Sequence, residues 1–358
     1  MVANICLRKQ RLIVIVLLFV SGIILLQEKV RRLDRICRDV NQFFRTMASL
    51  GRAEDRKQLF KNLDKVLKWQ QVFSQDNAWK PSATAFMQYR KELGQCCNGS
   101  HHVAVTMENA QLGSHIKFDG DKFKNITVDA NLRSMLLKRF PLAHIRHRKC
   151  AVVGNGGILL GSKCGHEIDQ ADFIIRFNLP PLDKSIDVGT KTHLMTINPS
   201  IFSKRFKDLG GSPMDFVKVL QTYPGALFLI PALSFDYHLK VTYRVMNILK
   251  ENGMGDRAFF LHPHYLAALD KYWKQKGIKE IRMSTGFMFT SYALEVCDII
   301  TLYGFWPFLF DLKGGKINHH YFNNELPHPL IHAMPEEFSR YLNLSAQGVL
   351  RLHLGKCW

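Results

Sequence analysis

The stretch KCAVVGNGGILLG (149–161) runs from a short apolar segment into a turn that holds three glycines in four positions. An apolar strand followed by a glycine-rich loop is how open α/β sheets bring backbone N–H groups close to a phosphate. Gly154 and Gly156 fit the start of a dinucleotide fingerprint, but Leu159 stands near the place where that fingerprint needs a third glycine. The stretch therefore predicts a nucleotide loop and disfavours a nicotinamide cofactor.

Apolar runs with strand character alternate along the chain with helical patterns, such as those over 242–252 and 264–277. This alternation predicts an α/β fold with a mostly parallel, Rossmann-like sheet between helices, which binds its ligand at the carboxyl ends of the strands. The expected strands are 151–153, 193–197, 226–230, 258–261 and 299–303.

The N-terminal region contains an apolar segment, LIVIVLLFVSGIILL, over 12–26. At about 1.5 Å per residue it spans roughly 22 Å, which suits a thin bilayer better than a thick one. No small-residue cleavage site follows it, so a signal-anchor is favoured over a cleaved signal peptide. We predict a cytoplasmic tail (1–11), a transmembrane helix (12–26), a stem (27–85) and a lumenal catalytic domain (86–358).

Lumenal placement is favoured by sequons at Asn98, Asn125 and Asn343, which predict N-glycosylation, although basic residues flank the apolar segment on both sides. Seven of the eight cysteines lie beyond the apolar segment, as an oxidising compartment allows. The stem carries a heptad seam from Val30 to Met47, which predicts either a homodimer through the stem or a helix packed on its own domain.

The net charge of +19 indicates an acidic partner: a nucleic acid, an anionic lipid or an acidic small molecule. The basic stretch 131–150 lacks the interleaved aromatic residues of a nucleic-acid platform, so no nucleic-acid partner is predicted.

Two cysteines flank the glycine-rich loop. Cys150 precedes it and Cys164 follows it, and two more lie far along the chain at Cys297 and Cys357. Disulfides would join the loop to distant chain. A zinc site is the alternative, although thirteen residues between Cys150 and Cys164 is not a zinc spacing.

Four ordered motifs carry a family resemblance. The segment 149–181 resembles the large sialylmotif of eukaryotic sialyltransferases, and 284–308 resembles their small sialylmotif. HHYFNN (319–324) looks like motif III, and HAMPEE (332–337) looks like the very small motif. The sequences NLPP, YGFWPF and HAMPEE resemble the α-2,8 branch.

The resemblance implies a GT-A-variant fold and a Golgi type II membrane enzyme. It implies inverting transfer of sialic acid from CMP-sialic acid to the 8-hydroxyl of a terminal sialic acid on a glycolipid (ganglioside) or glycoprotein. Transfer to galactose and a non-catalytic glycan-binding partner are the alternatives. The resemblance also implies activity without a metal or another cofactor, so neither is expected.

The resemblance also assigns roles to residues. It implies that His332 is the general base and that His320, with His319 as a helper, pairs with the leaving phosphate. It implies disulfides Cys150–Cys297 and Cys164–Cys357. The implied donor-binding residues are Asn155, Asn178, Ser284, Thr285, Gly286 and Trp306.

Two residues depart from the family pattern. Phe177 stands where this branch usually has cysteine, and Asn323 stands where motif III usually has aspartate. The second departure leaves His320 without an acidic partner and is expected to lower the basicity of its imidazole.

Overall fold

A computed structural model describes residues 79–121, 123–210, 213–278, 282–311, 315–326 and 334–357 of the chain. The predicted transmembrane segment, nearly all of the predicted stem and His332 lie outside these ranges. Among the helices inside them, none is both long and apolar enough to cross a bilayer. The predicted boundary between stem and catalytic domain at residue 86 falls within a helix, Ala83–Cys96.

One large sheet and one hairpin make up the β-structure of these ranges. The hairpin pairs β2 (His115–Lys117) with β3 (Asn125–Thr127). The sheet has the order β1-β8-β7-β6-β5-β4-β9-β10, and every neighbouring pair except β1–β8 is parallel, so the predicted mostly parallel sheet is confirmed. Its strands are β1 (Ala104–Val105), β4 (His147–Val153), β5 (Phe173–Phe177), β6 (Leu194–Thr196), β7 (Leu227–Ile230), β8 (Ala258–Leu261), β9 (Cys297–Tyr303) and β10 (Arg351–His353).

Helices connect the strands in the manner of a doubly wound fold. They are α1 (Ala83–Cys96), α2 (Gly99–His102), α3 (Ala130–Ser134), α4 (Gly165–Asp169), α5 (Ser185–Val188), α6 (Pro199–Phe206), α7 (Pro213–Gln221), α8 (Leu239–Glu251), α9 (Pro263–Gln275), α10 (Thr285–Val296) and α11 (Met334–Ala346).

The strand order reverses at β4. The chain passes from β4 through β5, β6 and β7 to β8 on one side, and then returns to place β9 and β10 on the other side. A crevice opens at such a switch point, outside the carboxyl ends of the two strands that flank it. The glycine-rich turn after Val153 and the turn after Tyr303 therefore border the same crevice.

Helix α10 is apolar on nearly every side. Nine of its residues are buried, among them Phe287, Phe289 and Tyr292, as expected for a helix enclosed by the fold. It packs against β4, β5 and β9 and begins at the N-cap residue Ser284. Its N-terminus lies at the crevice edge, since Thr285 contacts the chain that follows β6.

The structure contains both disulfides that the resemblance implies. Cys150–Cys297 joins β4 to β9 across the switch point, and Cys164–Cys357 ties the C-terminal segment to the start of α4. Cys96 and Cys97, adjacent in sequence, form a third disulfide at the end of α1. All the elements above belong to one compact unit. Leu309–Ile317 is assigned to another, in which Phe310 and Lys316 form an isolated bridge.

Candidate active site

The backbone of two other segments packs closely against the glycine-rich loop. The N–H of Gly156 donates to the carbonyl of Gly304 at 2.9 Å, and a Cβ at position 156 would lie 2.5 Å from that oxygen. The N–H of Gly157 donates to the carbonyl of His319 at 3.0 Å, and a Cβ there would overlap the carbonyl of Asn318. These two positions need glycine because two other segments press against the loop, so the loop brings those segments to the crevice.

Asn155 holds an unused acceptor at the crevice. Its Nδ2 donates to the carbonyl of Phe177 at 3.0 Å, which joins the ends of β4 and β5. Its Oδ1 is buried and accepts no hydrogen bond from any described residue. Because an unsatisfied buried acceptor costs about 1–3 kcal/mol, such an atom is suited to a ligand that brings a donor, such as a ribose hydroxyl or a cytosine amino group.

A chain of polar contacts links β5, β6 and α10. Asn178 directly follows β5 in the left-handed conformation, with φ 63°, and Leu179 follows at φ 55°. Consecutive left-handed non-glycine residues are uncommon and are concentrated at functional sites. The Oδ1 of Asn178 accepts from the N–H of Asn198 at 3.0 Å, and the amide of Asn198 lies 3.4 Å from the hydroxyl of Thr285. The ends of β5 and β6 therefore meet the N-terminus of α10, and Asn155 joins the end of β4 to them.

Ser284 is the N-cap of α10. Its Oγ accepts from the N–H of Phe287 at 3.1 Å, while its hydroxyl and its backbone N–H both donate to the carboxylate of Glu337. Ser284 and Glu337 are buried, whereas Thr285 and Gly286 are only half-buried. Thr285 and Gly286 thus present the positive end of the helix dipole to the crevice, where an anion is stabilised.

His320 lies beside the glycine-rich loop, with which it forms an isolated bridge through Gly156. Its Nδ1 is 2.7 Å from the Oδ1 of Asn323, and that oxygen also accepts from the N–H of Glu325 at 3.2 Å. Because a backbone N–H can only donate, it fixes this atom of Asn323 as oxygen, and Nδ1 of His320 must carry a proton. The Nε2 atom is then the ring nitrogen that is left to contact a ligand.

His319 is buried, and its ring centroid lies 4.6 Å from that of His320. Burial, and then the neighbouring imidazole of His320, lower the pKa of His319 to about 4. Without a bound anion, His319 is therefore neutral near pH 7, and its role as a helper stays a prediction.

The aromatic cluster after β9 is arranged differently from the expectation. The family resemblance implies that Trp306 lies in the donor pocket. In the structure Trp306 is the buried member, 5% exposed and packed against Phe308 and Phe338, while Phe305 and Phe308 are half-buried. A Cβ at Gly286 would lie 2.8 Å from the Phe305 ring, so Phe305 is the aromatic residue that contacts the N-terminus of α10.

The fold brings most of the predicted residues to one edge of the sheet, but His332 lies outside the described residues and its role stays a prediction. Three residues without a predicted role also belong to the site. They are Asn198, Asn323 and Glu337. Asn198 precedes a proline that spoils its sequon, and its only sequence signal was its place at the end of an expected strand.

Metal-ligand spacing occurs once among the described residues, at Cys164, His353 and Cys357. Two of these three are joined in a disulfide and offer no thiolate to a metal. The donor atoms of the crevice are amides, hydroxyls, backbone groups and imidazoles, which suit a nucleotide rather than a hard divalent cation.

Comparison with known proteins adds independent findings. Residues 103–349 match the model of glycosyltransferase family 29 (sialyltransferase). An alpha-N-acetylneuraminide alpha-2,8-sialyltransferase of Xenopus tropicalis is 41% identical over 78% of this chain and 81% of that protein. Alpha-2,8-sialyltransferase 8F of Mus musculus is 34% identical over 93% of this chain and 82% of that protein.

A crystal structure of a mammalian sialyltransferase aligns with 82% of this chain and 86% of that chain, at 21% identity and a TM-score of 0.43. The family match covers more than half of the sequence, and the two relatives exceed 30% identity over most of their length. The chain therefore belongs to glycosyltransferase family 29, the sialyltransferases, whose donor is CMP-sialic acid.

Proposed function

We propose that this chain is an α-2,8-sialyltransferase, which moves sialic acid from CMP-sialic acid to the 8-hydroxyl of a terminal sialic acid on a glycolipid or glycoprotein. The observation that carries the proposal is the meeting of Asn155, Asn178, Thr285 and His320 at the switch point. The linkage is supported by the two relatives, both named as alpha-2,8-sialyltransferases.

In the proposed reaction the bond from C2 of sialic acid to the phosphate oxygen of CMP breaks as a bond to the acceptor O8 forms, with inversion at C2. His332 takes the proton of the acceptor hydroxyl as general base. His320 in its protonated form donates from Nε2 to the leaving phosphate, because Asn323 already occupies its Nδ1–H.

The neutral groups of the site bind the donor. The free acceptor of Asn155 takes a hydrogen bond from the nucleoside, Asn178 contacts the ribose or phosphate, and the half-buried N-terminus of α10 at Thr285 and Gly286 faces the phosphate. Trp306, buried against Phe308 and Phe338, stays a predicted residue of the donor pocket. With these roles assigned to protein groups, the proposed transfer requires no metal and no other cofactor.

We further propose that the chain is a type II Golgi membrane protein, anchored by 12–26, with the catalytic domain in the lumen and a stem that can pair two copies. The apolar segment, the heptad seam, the sequons and the three disulfides support this placement.

The test is transfer by the full chain in detergent. Radiolabelled CMP-sialic acid is supplied with and without EDTA, and the acceptors are a sialylated ganglioside, a sialylated glycoprotein and their desialylated forms. We expect product only on sialylated acceptors, EDTA without effect, and loss of at least 1,000-fold in kcat for His332→Ala with CMP binding retained. That loss lies within the range for removing a general base. His166→Ala, an exposed histidine on α4, is the matched control.

Other outcomes separate the alternatives. Product on desialylated acceptors would move the linkage to galactose. CMP binding without product on any acceptor would favour a non-catalytic glycan-binding partner. Activity that persists in His332→Ala would reject His332 as the base.

A further inference from the structure

One aromatic side chain in the described part of the chain lies wholly in water. Phe123, in the turn between β2 and β3, is 100% exposed, whereas the next most exposed large apolar side chain there, Ile186, is 74% exposed. Two backbone hydrogen bonds lie near Phe123 in this part of the chain. The N–H of Lys124 donates to the carbonyl of Asp121, and the N–H of Phe118 donates to the carbonyl of Lys124, each at 3.2 Å. A fully exposed phenyl ring is an apolar surface that can bind a partner.

A sequon begins two residues after this ring. Asn125 pairs with Lys117 across the hairpin, and both side chains lie on the exposed outer face. The alternate residues Ile116 and Ile126 point to the other face, where they pack on the core. The folded hairpin therefore leaves room for a large substituent on Asn125, two residues after the exposed ring of Phe123.

We propose that Asn125 carries an N-linked glycan and that its first N-acetylglucosamine packs its apolar C–H face on the ring of Phe123. The glycan is transferred in the secretory pathway from a lipid-pyrophosphate oligosaccharide. A bond forms between Asn125 Nδ2 and C1 of the sugar as the bond from C1 to the lipid pyrophosphate breaks. The amide nitrogen loses one proton, which balances the charge of the released pyrophosphate. The proposal rests on the lumenal placement proposed above.

The other two sequons lack this arrangement. Asn98 is half-buried, and its Oδ1 accepts from the hydroxyl of Ser100 at 2.9 Å. Asn343 is exposed on α11, but the aromatic residue two positions before it, Tyr341, is only 3% exposed. Of the three sequons, only the one at Asn125 has an exposed aromatic ring two residues ahead.

The first experiment measures occupancy. The full chain is expressed in cultured animal cells, and glycans are released with peptide N-glycosidase in heavy-oxygen water, so that each occupied asparagine becomes a labelled aspartate. Mass spectrometry should show near-complete labelling at Asn125. An unlabelled Asn125 beside a labelled Asn343 would overturn the proposal alone, whereas no label at any sequon would overturn the lumenal placement as well.

The second experiment measures the contact. Phe123→Ala should lower the Tm of the glycosylated protein by about 2–4 °C, yet change it by less than about 1 °C in an Asn125→Gln background. Asn343→Gln is the matched control and should leave the full effect of Phe123→Ala. Phe123→Tyr, which keeps a flat ring, should retain the stability of the glycosylated protein. An equal loss in the glycosylated and Asn125→Gln backgrounds would show that the ring contacts no glycan.

Trimming the glycans to a single sugar with an endoglycosidase should preserve the effect of Phe123→Ala, because only the first sugar reaches the ring. Loss of the effect on trimming would overturn the assignment to that sugar. None of these readouts depends on transferase activity.

Discussion

The carboxylate of Glu337 accepts both the backbone N–H and the hydroxyl of Ser284, 53 residues earlier in the chain. With its hydroxyl proton directed to Glu337, the Ser284 oxygen turns a lone pair to the N–H of Phe287 and caps α10. A residue of the HAMPEE segment thereby sets the position of the helix N-terminus that faces the crevice. The segment that contains the predicted base is thus tied to the segment that is predicted to bind the donor.

Glu337→Gln tests this coupling. Glutamine has a single acceptor oxygen, so one buried donor of Ser284 loses its partner at a cost of about 1–3 kcal/mol. We expect a Tm lower by several degrees and a KM for CMP-sialic acid several-fold higher. Glu336→Gln, at the exposed neighbouring position, should change neither. A lower Tm with unaltered KM and kcat would make the pair purely structural.

The contact between Asn323 and His320 leads to a prediction about the pH dependence of kcat/KM. Asn323→Asp would place a carboxylate on the Nδ1–H of His320 in place of a neutral amide, and a carboxylate there stabilises the imidazolium form. Since the proposed mechanism needs that form, the alkaline decline of kcat/KM should move to higher pH. Asn323→Ala, which leaves Nδ1 without this partner, should lower kcat by about tenfold or more. Profiles of kcat/KM from pH 5.5 to 8.5 measure both, and an unmoved decline in Asn323→Asp would refute the role of Asn323.

The fold follows from sequence wherever a strand is a plain apolar run. The expected strands overlap β4, β6, β7, β8 and β9, and the expected helices overlap α8 and α9. Strand β5 is not among the expected strands, and its sequence FIIRF contains Arg176. That guanidinium is fully buried and donates to the carbonyls of Val188 and Lys191 and to the hydroxyl of Thr192. These partners lie at the end of α5 and just after it, later in the chain, so nothing local indicates that the charge can be buried.

The sequence predicts the residues of the site motif by motif, but it does not predict which motifs meet. Each motif suggests its own residues, but the order of the strands decides which of them meet, and the pairing of β4 with both β5 and β9 is a long-range property. Asn198 joins the site only because β6 lies beside β5. The burial that makes His319 neutral likewise depends on packing that no short motif encodes.

Glu295, near the far end of α10, is a half-buried carboxyl outside the site. It accepts from the N–H of Gly99 at 2.7 Å and from the hydroxyl of Tyr265 at 3.1 Å, yet burial raises its pKa to about 7. Because this pKa exceeds the ordinary value of 4.5, the folded protein holds a proton that the unfolded chain has lost between pH 4.5 and 7. Its contribution to stability is therefore full below pH 4.5 and is lost as pH rises through about 7.

The pKa of His262 is lowered to about 4, mainly by burial and then by the neighbouring His264 and His102. The pKa of His319 is also lowered to about 4. These two act in the opposite sense, because their contribution is full above pH 6.5 and is lost as pH falls toward 4. The pH dependence of the wild-type Tm therefore mixes the two senses, and only a comparison with a variant isolates Glu295.

Glu295→Gln removes the titrating group and leaves the histidines in place. We expect the Tm of the variant, relative to wild type, to rise as pH increases from 5 to 7, with a slope on the order of 1 kcal/mol per pH unit in unfolding free energy. Thermal melts at half-unit intervals measure this difference. Glu251→Gln, at an exposed position on α8, is the control and should show no such slope. A constant difference between Glu295→Gln and wild type would mean that Glu295 does not titrate in this range.

The three disulfides should contribute very unequally to stability. Cys150–Cys297 closes a separation of 147 residues and Cys164–Cys357 one of 193, whereas Cys96 and Cys97 are adjacent. If a cross-link acts mainly by restricting the unfolded chain, each long loop is worth about 5 kcal/mol and the adjacent pair almost nothing. Replacing both cysteines of either long-range pair by alanine should lower the Tm by about 10–20 °C. Replacing Cys96 and Cys97 by serine should lower it by less than about 2 °C. A large loss from the adjacent pair would instead show that its ring fixes the end of α1 in the native state.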